Sequence, residues 1–160
     1  MLRFWLSRHG EAVDPDSAPT DFERTLTDRG RRQLSQLGQW LKQREEAPEL
    51  ILHSPLVRAR QTAEALAAEF GLGGVPVRVE SRLAPGINTE ELLRLLSSLP
   101  VERVLCVGHQ PDMSRCLAEI IGGGHIHFSP GTMAGVEFHG PILRSGGLLR
   151  WIADPSWFGG

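Results

Sequence analysis

Residues 2–11, which read LRFWLSRHGE, decide how the rest of the chain is interpreted. The first part, LRFWLS, is a short apolar run of the kind that favours a β-strand. The run ends in Arg8 and His9, and Gly10 then allows the backbone to turn sharply. A strand that ends in polar side chains is typical of an α/β domain, in which ligands bind beyond the carboxyl ends of the strands.

The rest of the chain alternates between predicted helices and predicted strands. Apolar residues three or four positions apart indicate helices, and short apolar runs between them indicate strands. The predicted helices cover 28–44, 58–70, 90–99 and 111–121, and the predicted strands cover 50–53, 75–79, 101–107, 132–138 and 148–152. This order predicts a three-layer α/β/α sandwich around a mostly parallel sheet, with an antiparallel edge formed by the last strands. A length of 160 residues predicts one domain over 1–160.

Composition argues against several classes of protein. The 17 basic and 19 acidic side chains form no basic tail, so we expect no nucleic-acid partner, and no apolar run is long enough to predict a membrane span. Cys106 and Cys116 fit no disulfide framework or zinc spacing, which favours the cytoplasm. His125 and His127 lack further ligands at metal-binding spacing, and the glycines at 122–124 lack a phosphate-loop lysine, so no metal and no cofactor is predicted.

Polar side chains follow three of the predicted strands. Arg8 and His9 follow the first strand, Arg58 follows the second within a few residues, and His109 follows the strand at 101–107. Because parallel strands end at the same edge of a sheet, we expect these four side chains to share one crevice, with no carboxylate among them. Guanidinium groups match phosphate oxygens, and a neutral imidazole can act as a nucleophile. The pattern therefore predicts a phosphate site that contains its own nucleophile.

The same three segments resemble the motifs of the histidine phosphatase superfamily, which has the phosphoglycerate mutase-like fold. RHG at 8–10 resembles the first motif, SPLVRARQTA at 54–63 the second, and VGH at 107–109 the third. The form RHGEA at 8–12 and the small size are similar to the SixA group of protein phosphohistidine phosphatases. The resemblance therefore implies a phosphatase that works through a phosphorylated histidine.

The resemblance also implies a role for each site residue. His9 would be the nucleophile that becomes phosphorylated. Arg8 and Arg58 would bind the phosphoryl oxygens. His109 would be the second histidine of the pocket, in its protonated form when it faces a doubly charged phosphoryl group.

The sequence departs from the family's pattern at the general acid. Many members carry a glutamate in a Leu-x-Glu context, where this chain reads LAP at 83–85, and another branch has an aspartate where this chain has Gln110. A general acid contributes about 10²–10⁴-fold when the leaving group is an alkoxide, whereas imidazole needs less help because it leaves as a stable base. The departure therefore favours a phosphorus–nitrogen substrate. The carboxylates that could still reach the site from loops are Asp14, Asp16, Glu80 and Glu90.

The sequence thus predicts hydrolysis of phosphohistidine on a protein, such as the phosphotransfer domain of a signalling relay. A site without an inserted helical lid would admit a histidine on another protein's surface. Two alternatives stay open: a phosphatase of small phosphate monoesters of the sugar or nucleotide type, and a non-catalytic module that binds a phosphoprotein. The expected partner is accordingly a phosphorylated histidine-containing protein or a small phosphate ester.

Overall fold

The computed structural model describes residues 1–45, 47–71 and 74–158, and a six-stranded sheet forms its centre. The strands are β1 Leu2–Arg8, β2 Leu50–His53, β3 Val77–Val79, β4 Arg103–Gly108, β5 Met133–Phe138 and β6 Leu148–Ala153. Their order in the sheet is β3-β2-β4-β1-β5-β6. The first four of these neighbours are parallel, whereas β5 is antiparallel to β1 and β6 is antiparallel to β5. The prediction of a mostly parallel sheet with an antiparallel edge is confirmed.

The register of the sheet aligns the carboxyl ends of β1, β2 and β4. Arg8 in β1 lies opposite Gly108 in β4, and His53 in β2 lies opposite Val107 in β4. The segments that follow β1, β2 and β4 therefore leave the sheet side by side, although they are far apart in sequence.

Helices cover both faces of the sheet and complete the predicted three layers. They are α1 Asp28–Arg44, α2 Val57–Glu69, α3 Thr89–Ser98 and α4 Asp112–Ile121. Buried leucines and alanines of α1 and α2 pack with Trp5, Ile51 and Leu105 on one face. Apolar side chains of α3 and α4 pack with Phe4, Leu52 and Cys106 on the other. Because each strand alternates its side chains between the two faces, β1, β2 and β4 contribute to both cores.

The helices begin and end at residues that satisfy their free backbone groups. The Thr27 side chain accepts a hydrogen bond from the backbone of Gly30 at the start of α1, as the sequence predicts. Asn88 and Glu91 form a capping box at the start of α3. Gly122 ends α4 with φ of 110°, in the left-handed region where glycine is favoured.

The starts of β3 and β4 and the loop at 14–25 differ from the sequence prediction, and β4 begins at Arg103 rather than at position 101. The third strand begins at Val77 rather than at position 75, because Pro76 has no N–H to donate and only accepts a hydrogen bond, from Ile51. The predicted loop at 14–25 contains a short 3-10 helix, Pro15–Ser17, and its ends are joined by a bridge between Ala12 and Leu26. Within the described part of the chain, no helix is both long and apolar enough to span a membrane.

Candidate active site

The four predicted site residues meet at the carboxyl edge of the sheet. Arg8 ends β1 and His9 follows it, Arg58 lies in the first turn of α2, and His109 follows β4. The rings of His9 and His109 are 5.2 Å apart between centroids, and Arg58 Nε lies 3.2 Å from His9 Nε2. Arg8 is close enough to Arg58 that their charges repel, which together with the larger effect of burial lowers the pKa of Arg8. The structure thus brings together side chains separated by about 100 positions.

The hydrogen bonds of His9 define which ring nitrogen is free. His9 Nδ1 lies 2.8 Å from the carbonyl oxygen of Gly10, and a carbonyl oxygen can only accept, so Nδ1 carries the proton. Nε2 then presents its lone pair and accepts a hydrogen bond from Arg58 Nε. The ring is oriented from both sides, with a nucleophilic nitrogen directed toward the arginine that follows β2.

The surroundings of His9 keep its ring neutral. The pKa of His9 is lowered to about 3; burial is the largest cause, the hydrogen bond to Gly10 opposes it, and the nearby His109, Arg58 and Arg8 add to it. At neutral pH the ring is therefore unprotonated, as a histidine nucleophile requires.

His109 is buried beside His9 and is also neutral in this structure. Its Nε2 lies 2.7 Å from Ser54 Oγ, whereas its buried Nδ1 has no hydrogen-bond partner among the described residues. Burial first, and then the charge of Arg58, lower the pKa of His109 to about 4. A phosphoryl dianion beside the ring would act in the opposite direction, because a nearby negative charge favours the protonated imidazole.

Thr62 joins the turn after β1 to α2, and the sequence prediction assigned it no role. Its Oγ accepts a hydrogen bond from the Gly10 amide at 2.9 Å and donates one to the Arg58 carbonyl at 2.7 Å. The side chain is fully buried. Thr62 therefore fixes the backbone of the nucleophile's turn relative to Arg58. It lies one turn after Arg58 in the second motif, which is the signal that could have identified it.

The prediction of a crevice without a carboxylate is wrong, because Asp21 is bound to Arg58. Arg58 NH2 lies 3.2 Å from Asp21 Oδ2, and Arg58 NH1 donates to the Asp21 carbonyl at 2.8 Å. Asp21 Oδ1 accepts a further hydrogen bond from Arg24 at 3.1 Å. These contacts, that of Arg24 first, hold the pKa of Asp21 below its usual value. Asp21 is therefore a carboxylate at neutral pH and has no proton to give.

The candidate acids at Glu80 and Glu90 are both bound by arginines. Arg82 donates to Glu80 through Nε at 2.8 Å and lowers its pKa. Glu90 pairs with Arg144, which also binds Glu119 near the far end of α4. Glu90 therefore lies in the first turn of α3 rather than on a loop, and Arg144 binds its carboxylate.

The remaining positions considered for an acid are Asp14 and Asp16 on the loop, and Gln110 and Pro85. Asp14 and Asp16 are exposed on the loop that also carries Asp21. Gln110 precedes α4 and bonds to its first turns, where its Oε1 accepts from the Ser114 amide at 3.0 Å and its Nε2 donates to the Ser114 hydroxyl. Pro85 has no proton to transfer. Only the exposed loop carboxylates thus remain as possible acids among the predicted ones.

His53 is buried, and its Nδ1 lies 2.7 Å from the carbonyl oxygen of Ser54. It therefore supports the segment that carries the His109 partner Ser54. No group of three or more histidine, cysteine, aspartate or glutamate side chains in the described ranges is placed to hold a metal ion.

Comparison of the sequence with known proteins identifies relatives of this chain. Residues 4–85 match the model of the histidine phosphatase superfamily, branch 1. The chain is 31% identical over 152 residues to a phosphohistidine phosphatase SixA homologue of Haemophilus influenzae, covering 87% of this chain and 90% of that one. It is 36% identical over 165 residues to an uncharacterised protein of Picosynechococcus sp., covering 98% of each.

Solved structures agree with the sequence relatives. The protein histidine phosphatase SixA complexed with tungstate superposes with a TM-score of 0.84 at 26% identity, covering 97% of this chain and 98% of that one. An α-ribazole phosphatase of Shigella flexneri shares the fold, with a TM-score of 0.71 at 19% identity over 96% and 97% of the two chains. A matched model over more than half of the chain, together with these relatives, identifies the family: this protein belongs to the histidine phosphatase superfamily, branch 1.

Proposed function

We propose that this protein is a phosphatase that hydrolyses phosphohistidine on a partner protein through a covalent intermediate on His9. The observation that carries the proposal is the state of His9. Its ring is neutral, its Nδ1 proton is held by Gly10, and its Nε2 lone pair lies 3.2 Å from Arg58. The similarity to SixA phosphatases supports the same reaction class.

In the first step, His9 Nε2 forms a bond to phosphorus while the bond from phosphorus to the substrate nitrogen breaks. That nitrogen keeps the electron pair, and an imidazole already protonated on its other nitrogen leaves as a neutral base. Arg8 and Arg58 bind the phosphoryl oxygens, and His109 takes up a proton from water when the phosphoryl dianion enters beside it. Phosphoryl transfer depends mainly on such positioning and charge stabilisation.

In the second step, a water oxygen bonds to phosphorus and the bond from phosphorus to His9 Nε2 breaks. The electron pair returns to Nε2, and a proton of the water passes to the released phosphate. The proton on Nδ1, bonded to the Gly10 carbonyl, remains in place throughout, so the ring of His9 again leaves as neutral imidazole. Both leaving groups are therefore imidazoles that need no general acid.

The carboxylates near the site support a phosphorus–nitrogen substrate over an ester. Asp21 and Glu80 both have pKa values below the usual ones because arginines bind them. An alkoxide leaving group would need a protonated group in their place. A small phosphate monoester remains the second candidate, because Asp14 and Asp16 are exposed on the Asp21 loop.

The test compares phosphate release from a phosphohistidine-bearing phosphotransfer protein and from an aryl phosphate ester, without added metal. We expect faster release from the protein, and loss of that release in His9→Ala. His139→Ala is the matched control, because His139 is exposed and pairs with Glu137. Ester turnover alone, slowed by Asp14→Asn or Asp16→Asn, would replace the proposal with the second candidate. Phosphate binding without turnover of either compound would indicate a binding module.

A further inference from the structure

Arg58 is unusual for a residue that binds a phosphoryl group, because its guanidinium is already paired with a carboxylate of this chain. Arg58 is 6% exposed, and its guanidinium donates through all three nitrogens: Nε to His9, NH1 to the Asp21 carbonyl and NH2 to the Asp21 carboxylate. The Asp21 side chain, in contrast, is 63% exposed. A buried cation is thus neutralised by an anion that can move into water.

The loop that carries Asp21 is fixed at several points rather than resting on Arg58 alone. Arg24 donates from Nε to the Val13 carbonyl at 2.8 Å and from NH1 to Asp21 Oδ1 at 3.1 Å. The amide of Val57, at the start of α2, donates to the Phe22 carbonyl at 3.1 Å. The bonds to the Val13 and Phe22 carbonyls hold the backbone of the loop, and Arg24 binds only Oδ1, so the Oδ2 that pairs with Arg58 can move away without unfolding the loop.

We propose that Asp21 is a positioning residue that holds Arg58 against His9 in the resting site and yields the guanidinium to the phosphoryl group during turnover. The proposal rests on the phosphatase activity proposed above. The Asp21 carboxylate returns to Arg58 when phosphate leaves. Asp21 therefore competes with the product for Arg58 and speeds the release of phosphate.

The charges of the site give the direction of this effect. With both histidines neutral, Arg8 and Arg58 contribute two positive charges and Asp21 removes one. A phosphoryl dianion enters beside the same guanidinium, where Asp21 repels it and competes for the same donors. Removal of the carboxylate should therefore tighten phosphate binding while it loosens the resting position of Arg58.

The test replaces the charge and keeps the shape, with Asp21→Asn. We expect the dissociation constant for inorganic phosphate, measured by calorimetry, to fall about fivefold, as the loss of one unit charge a few ångströms from the anion implies. We also expect kcat to fall and KM to fall with it, because product leaves more slowly. The matched control is Glu23→Gln, which removes an exposed negative charge from the same loop.

Calorimetry tests the role of Asp21 independently of the proposed substrate. Phosphate binding is measured without any substrate, so the result is valid whether or not phosphohistidine protein is turned over. Unchanged or weaker phosphate binding in Asp21→Asn, or an equal change in Glu23→Gln, would overturn the role of Asp21. A second readout is the pKa of His109, which Asp21 raises and which should therefore fall further in Asp21→Asn.

Discussion

Among single residues, the two buried site histidines make the stability of the protein depend on pH. Their pKa values lie at about 3 for His9 and about 4 for His109, whereas an unfolded histidine titrates near 6.5. Between pH 7 and pH 5 the unfolded chain therefore takes up protons at these positions and the folded protein does not. Stability must fall as the pH falls, because the unfolded state binds more protons.

We expect the free energy of unfolding to decrease by up to about 2 kcal/mol for each of these histidines between pH 7 and pH 5. Urea unfolding at the two pH values measures the decrease. His9→Gln should lose part of the pH dependence, and His139→Gln, which changes an exposed ring, should keep it. Equal pH dependence in all three proteins would show that His9 does not titrate as its burial implies.

Some residues of the candidate site could be predicted from the sequence, and others could not. His9, Arg58 and His109 could be predicted to converge because each follows a strand, and strand ends meet by the geometry of a parallel sheet. Asp21 could not, because it lies on an irregular loop and pairs with a residue 37 positions away. No periodicity places a loop carboxylate, and only the three-dimensional structure shows its partner.

At the scale of elements, the contact between α1 and the turn after β1 makes a glycine necessary. A Cβ at Gly30 would lie 2.5 Å from the Glu11 carbonyl oxygen, which also accepts the Thr27 amide. Alanine normally stabilises a helix interior relative to glycine by about 1 kcal/mol. At Gly30 we expect alanine to destabilise the protein, because its Cβ would clash with a backbone atom. Glu11 lies two residues after the nucleophile and cannot move without displacing the nucleophile's turn.

We therefore expect Gly30→Ala to lower both the melting temperature and kcat. Gly38→Ala in the same helix is the matched control, since its Cβ would meet the flexible side chain of Glu69 rather than a backbone oxygen. Thermal unfolding and phosphate release measure the two effects. A Gly30→Ala protein as stable and active as Gly38→Ala would contradict the close approach of α1 to the turn.

The elements themselves were largely predictable, and the exceptions have physical reasons. The apolar periodicity of α1 and its cap at Thr27 predict the observed helix, Asp28–Arg44. The start of β3 was misplaced because Pro76 interrupts the hydrogen bonding that defines a strand, although its neighbours are apolar. Apolar patterning predicts burial well, and hydrogen-bond partners less well.

For the molecule as a whole, the candidate site forms only when the chain folds. His9, Arg58 and His109 belong to three segments that only the folded sheet brings together. The unfolded chain has no comparable cluster of positive charge and buried donors, so an anion that binds the site binds only the folded state. Such binding stabilises a protein by RT ln(1 + [L]/Kd).

Inorganic phosphate at about ten times its dissociation constant should therefore stabilise the protein by about 1.4 kcal/mol, which corresponds to a rise of about 3–5 °C in Tm for a chain of this size. Thermal unfolding with phosphate, and with chloride at matched ionic strength, measures the rise. Arg8→Gln should lose most of it, because Arg8 has an unpaired buried Nε among the described residues and lies beside Arg58. Arg29→Gln, which changes an exposed arginine bound to Glu11, should keep it. A rise that survives Arg8→Gln and disappears in Arg29→Gln would place the anion outside the crevice, and the shared edge of the sheet would then not be the phosphate site.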